Sequence, residues 1–161
     1  MKVAVQAVIN KEQVSLEVDS RMSLVDMLRE ELGLTGTHVG CRTGNCGACT
    51  VLLAENPVKA CCILAGDVHG EEITTIEGLS SDPNALHPMQ DAFVRHQGLQ
   101  CGFCTPGVVL SAVAMARNNP APTVEEVRRA LAGNLCRCTG YQFIIKSVLA
   151  GAGEMARARS Y

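Results

Sequence analysis

Large ring side chains are scarce in this chain. Of its 161 residues two are Tyr, three are Phe and none is Trp, so aromatics make up 3%. Burial must come instead from Leu, Val, Ile, Ala and Met, and a hydrophobic content of 47% suffices for the core of one domain or of two small ones. Positive charge is not in excess either. The formal net charge is −2, with no basic stripe of the kind that tracks phosphates, so no nucleic-acid partner is expected. No stretch approaches the ~18–20 apolar residues of a membrane span, and the N-terminus from Met1 to Asn10 lacks both the apolar core of a signal peptide and a twin-Arg pair. No internal repeat is visible. Neither a Ser-His-Asp or Cys-His arrangement nor a paired-carboxylate motif stands out, so the chain offers no acid, base or nucleophile of its own.

What it has in quantity is cysteine. Nine is a high count and an odd one, which does not suit a closed disulfide framework, and the residues are clustered rather than spread. With no secretory signal, the expectation is a cytoplasmic protein whose reduced thiols are held by metal.

The first cluster is Cys41-x4-Cys46-x2-Cys49, followed after eleven residues by Cys61. C-x4-C-x2-C…C is the plant-type spacing for a [2Fe–2S] centre. Three ligands from one loop need a backbone that wraps tightly, and Gly40, Gly44 and Gly47 are placed to allow positive φ and to bring N–H groups to the sulfurs. Cys61 and Cys62 compete for the fourth place. On a strand they would point to opposite faces, so one ligates; Cys61 is taken as the ligand and Cys62 as a small core residue. The second cluster joins Cys101-x2-Cys104 to Cys136-x-Cys138. Thiols one residue apart close no comfortable disulfide but can face one inorganic centre. Four-cysteine zinc stays open for this quartet on spacing, and is much weaker for the first. A thioredoxin-like use of Cys101-Gly-Phe-Cys104 is weaker than either, as it sits outside a βαβ unit and leaves further thiols in its own half to account for, and a Rieske centre would need a C-x-H pair that none of the four His provides. The histidines read as surface or capping groups, and Arg128-Arg129 with Glu125 and Glu126 as a solvated helix face.

Hydrophobic patterning divides the chain in two. Val3, Val5, Ala7 and Ile9 alternate with other residues, and Val14, Leu16 and Val18 do so after a turn at 10–12, which predicts a β-hairpin. Leu24, Leu28 and Leu32 predict a helix capped by Ser23 and stopped by Gly33; strands follow at 50–53, 58–63 and 73–76. Beyond a Ser/Pro/Asn-containing connector at 78–84 the signals turn helical. Pro88 opens one helix, Thr105-Pro106 a second, the Thr123/Glu126 capping box a third, and a fourth starts near Tyr141. The predicted fold is α+β: an N-terminal domain over 1–77 and a helical, cluster-clamped bundle over 78–161.

Taken together, Gly40-Cys41-x4-Cys46-Gly-Ala-Cys49-Thr50, Thr74-Thr-Ile-Glu-Gly78, Gln100-Cys101-Gly-Phe-Cys104-Thr-Pro-Gly107 and Gly133-Asn-Leu-Cys136-Arg-Cys138-Thr-Gly-Tyr141 resemble the small iron–sulfur subunit of the molybdenum hydroxylases, the xanthine oxidase family, in its bacterial form with separate subunits. The resemblance spans nearly the whole chain. It implies a β-grasp plant-type ferredoxin domain, a C-terminal four-helix bundle and two [2Fe–2S] clusters, ligated by Cys41, Cys46, Cys49 and Cys61 and by Cys101, Cys104, Cys136 and Cys138. It implies a large subunit that carries substrate and a molybdopterin, in bacteria usually the cytosine dinucleotide, a medium subunit with FAD, and a dimer of heterotrimers. Cys138 would lie nearest the pterin and Gln100 would hydrogen-bond it. Two rivals are a stand-alone ferredoxin and a zinc-stabilised interaction module.

Overall fold

A computed structural model describes residues 1–82 and 84–158. The alternating N-terminal pattern becomes β1 (Lys2–Ile9), with Val5, Ala7 and Ile9 buried, paired antiparallel with β2 (Glu12–Asp19) from Lys2↔Asp19 to Ile9↔Glu12. Asn10 and Lys11 make the turn with φ of 53° and 71°, the left-handed pair whose twist matches a two-residue hairpin. β3 (Thr50–Leu53), β4 (Asn56–Lys59) and β5 (Glu72–Thr74) complete a five-stranded sheet in the order β2-β1-β5-β3-β4. β1 and β5 run parallel, and the other pairs are antiparallel.

One short helix packs on this sheet. α1 (Leu24–Asp26) starts at Ser23, whose hydroxyl accepts from the Asp26 N–H at 3.3 Å, and passes into a π-turn over Met27–Glu31 before Gly33, at φ 68°, ends it. Leu24, Val25, Met27 and Leu28 are buried against Val5, Ile9, Val18, Val51 and Ile73.

The second half is helical as patterned: α2 (Pro88–Arg95), α3 (Thr105–Asn118), α4 (Val124–Ala130) and α5 (Gln142–Ala158). His87 caps α2, its Nδ1 accepting the Met89 N–H at 3.1 Å while Gln90 Oε1 takes the His87 N–H at 3.0 Å. The predicted Thr123/Glu126 box caps α4. Met89, Phe93, Val108, Val113, Val127, Ile144 and Val148 form one core, each worth about 1.5–3 kcal/mol on burial for the larger side chains. Leu52 of β3 belongs to this helical core, so sheet and helices meet along α3. Among the described residues no helix is long and apolar enough to cross a membrane. Pro83 of the predicted connector and 159–161 of the predicted second domain lie outside the described residues.

One predicted strand is displaced. The turn falls at Ala54 and Glu55, with φ of 45° and 70°, so β4 starts at Asn56 and takes in Pro57, tolerated because β4 is an edge strand. The Ala60 N–H then bonds the Cys49 carbonyl at 3.2 Å and the chain leaves the sheet in a 3-10 turn, Ala60–Cys62. Cys61 and Cys62 therefore do not lie on a strand. Their sulfurs are 3.6 Å apart instead of on opposite faces, and Cys62 is exposed, not a core residue.

Candidate metal centres

The loop between α1 and β3 is tied down from α1. Arg42, itself at φ 57°, reaches back to Asp26 with two bonds of 2.8 Å, and Arg29 Nη1 donates to the Thr35 and Thr37 carbonyls at 2.6 and 2.9 Å. Thus anchored, the backbone curls around Cys41, whose Sγ accepts the N–H groups of Thr43 and Cys46, both at 3.4 Å. The hydroxyl and amide of Thr43 and the amide of Cys46 bring the Cys41 thiol down to about 6. Burial pushes Cys49 the other way, up to about 11. Cys41 interacts with Cys46, and Cys49 with both Cys61 and Cys46, so the four thiols form one electrostatic group.

The predicted glycines serve different ends. Gly44 has φ 78°, and a Cβ there would sit 3.0 Å from Cys62 Sγ. Gly40 has no positive φ; a side chain would strike Cys46 Sγ at 2.8 Å, so space is what it provides. Gly47, at φ 71°, faces the helical half: its Cβ would lie 2.1 Å from the Gly133 carbonyl oxygen.

The second quartet forms a group as well. Cys138 Sγ lies 3.4 Å from Cys101 Sγ, both exposed, while Cys104 and Cys136 form a more buried pair. Burial pushes the Cys104 thiol up to about 12. At Cys136 burial is opposed and outweighed by the Thr139 hydroxyl and the Cys138 and Thr139 amides, which lower it, and the Phe103 amide lowers Cys101. Tyr141 fixes this loop. Its phenol accepts the Cys136 N–H at 2.7 Å and donates to the Asn134 carbonyl at 3.1 Å. Gln100 is exposed on the bend before Cys101.

The two thiol loops interlock. The Cys46 carbonyl accepts the Leu135 N–H at 2.8 Å, the residue before Cys136. Asn134, 2% exposed, receives the Ser111 hydroxyl at 2.9 Å and donates to the Gly47 carbonyl at 3.1 Å. His38 stacks on Phe103, centroids 5.0 Å apart, and its Nδ1 is 2.8 Å from the Phe103 carbonyl oxygen. Asn134 and Tyr141 stand inside the recognised motif but carried no role in the sequence reading. His38, Phe103 and Ser111 were missed because no local pattern tells which residues meet across two loops.

The chemistry of this donor set, eight thiols in two groups, fits two iron–sulfur clusters. Thiolates with N–H donors turned toward them, as the Thr43 and Cys46 amides are toward Cys41, suit two irons and their net negative charge. Comparison with known proteins gives the same answer. Residues 7–77 match the family described as 2Fe-2S iron-sulfur cluster binding domain, and residues 75–149 that described as [2Fe-2S] binding domain. The nicotine 6-hydroxylase small subunit of Paenarthrobacter nicotinovorans is 47% identical over 154 residues, covering 96% of this chain and 92% of its own. The chain belongs to the small iron–sulfur subunits of the molybdenum hydroxylases. It is therefore a subunit of an oxidoreductase of the xanthine oxidase family, with two [2Fe–2S]-binding regions. The iron-sulfur-binding subunit PaoA of the aldehyde oxidoreductase of Escherichia coli strain K12 is 44% identical over 162 residues, 91% of this chain and 70% of that one. The crystal structure of quinoline 2-oxidoreductase from Pseudomonas putida 86 superposes with a TM-score of 0.93 at 45% identity, covering 98% of this chain and 97% of the matched chain.

Proposed function

We propose that this subunit carries electrons within a cytoplasmic molybdenum hydroxylase, from a molybdopterin-bearing large subunit toward an FAD-bearing medium subunit. Cys101, Cys104, Cys136 and Cys138 hold the cluster of the electron-receiving end, and Cys41, Cys46, Cys49 and Cys61 that of the delivering end. When bound, each [2Fe–2S] cluster supplies one-electron carriage. The chain's own part is to gather the thiolates in two groups, aim amides at them and keep the two loops in contact.

The observation that carries this reading is the Cys46 carbonyl to Leu135 N–H bond of 2.8 Å, which joins one ligand loop to the residue next to a ligand of the other. A two-step route through the chain is supported by that contact. The exposure of Cys101, Cys138 and Gln100 on the helical side supports a pterin-facing role for them, with Gln100 as a hydrogen-bonding group and Cys138 as the nearest thiolate. Two separate cores support a division at 77/78 into a β-grasp ferredoxin domain and a four-helix bundle. The assembly proposed is a dimer of heterotrimers, with the pterin as the cytosine dinucleotide.

Metal and sulfide analysis of the purified chain tests this directly. About four iron atoms with matching acid-labile sulfide are expected, and a large and an FAD-containing chain should co-purify from the native host. Zinc without sulfide would sink the reading, and isolation as a free monomer would replace it with a stand-alone ferredoxin.

A further inference from the structure

Lys59 is the last residue of β4 and pairs with Thr50 of β3, so its side chain runs beside the residue that follows Cys49. Its ammonium donates to Thr50 Oγ1 at 2.9 Å, and a Cβ placed on Gly133 would lie 3.6 Å from Nζ. The cation is thus held at the seam between the two halves, half-buried. Among the described residues it forms no ion pair; the pairs found there involve Arg21, Arg42, Arg95, Arg117 and Arg128. A cation withdrawn from water with no carboxylate beside it is costly unless another anion faces it. The groups that act on it electrostatically are, in order, Cys49, Cys46 and Cys61, three thiols of the N-terminal quartet and none of the helical one. Arg42 also lies in the field of Cys61, but its charge is offset by the two-bond pair with Asp26.

We propose that Lys59 is the built-in counter-charge of the N-terminal cluster and biases the shared electron toward it. The inference rests on the two-cluster reading above. Each one-electron reduction adds a negative charge to the site, and a fixed cation nearby stabilises the reduced form more than the oxidised one. Because the group Lys59 bonds belongs to the residue after Cys49, and Cys61 follows Lys59 by two residues, the cation raises the potential of the N-terminal cluster more than that of the other. That places the favoured end of the route on the side away from Cys138.

The test is a redox titration of the intact holoprotein, with both clusters followed by EPR, in the wild type and in Lys59→Met, Lys59→Gln and Lys59→Arg. Met and Gln should each lower the equilibrium constant for reduction of the N-terminal cluster about tenfold, or about 59 mV for one electron. The helical cluster should move by far less, and Arg should restore the wild-type value. If Met prevents assembly, Gln and Arg decide, since both keep an N–H donor toward Thr50. An unmoved N-terminal potential in Lys59→Gln with iron and sulfide intact overturns the proposal, as do equal shifts of both clusters, which mark general loosening. Absence of labile sulfide from the wild type overturns the cluster reading itself and needs no variant to be seen.

Discussion

Cys61 and Cys62 show how much one residue of register matters. Both sulfurs lie on the same 3-10 turn, 3.6 Å apart, yet Cys61 is half-buried and interacts with Cys49 while Cys62 is exposed near Gly44. Cys61→Ser should therefore abolish or alter the EPR signal of the N-terminal cluster, whereas Cys62→Ser should leave it in place; the opposite result would reverse the assignment. Tyr141 makes a comparable argument at the other quartet. Its phenol is the shared partner of the Cys136 N–H and the Asn134 carbonyl, so Tyr141→Phe leaves both without it. Denaturant unfolding should show a loss of about 1–3 kcal/mol, the cost of leaving backbone groups unsatisfied, and the helical cluster should bleach faster on exposure to air.

At the scale of elements, the first thiol loop depends on α1. Arg42 beside Asp26, helped by the Ser23 hydroxyl, lowers the Asp26 pKa below its ordinary range, against the effect of burial. An acid whose folded pKa is depressed contributes stability that is complete above its unfolded value of about 3.9 and is lost as pH falls through the folded value. Asp26→Asn should accordingly lower the unfolding midpoint at pH 6, and the gap from wild type should close as pH drops below about 4. The pair is half-exposed on the Arg side, so high salt should narrow the gap as well.

For the whole molecule, stability hangs on how closely the two halves approach. Gly47 presses under the Gly133 carbonyl, and a Cβ on Gly107 of α3 would in turn lie 2.2 Å from the Gly47 oxygen. Neither obstacle is a flexible side chain. Gly47→Ala combines that clash with a positive φ and should cost at least about 1–3 kcal/mol in chemical unfolding, with both cluster signals broadened. Gly66→Ala, where the nearest atom would be 3.5 Å away, serves as the control and should be nearly silent.

Much of this is legible in the sequence. The period-two run of β1, the Thr123/Glu126 box of α4 and the cysteine spacings are local, because strand alternation, helix capping and ligand loops act over a few residues. The sequence by itself determined the hairpin and the helices of the second half, and it raised the expectation of eight cysteine ligands. It misjudged β4, since the left-handed pair Ala54-Glu55 carries no strong turn residue and moved the strand toward its start. Only the tertiary structure decided that Cys61 and Cys62 share a turn, that Gly47 also meets the Gly133 carbonyl at the seam, and that Lys59 ends bonded to Thr50 beside the same seam. These are distances between segments far apart in the chain, set by how sheet and helices pack along α3, and no local pattern encodes them.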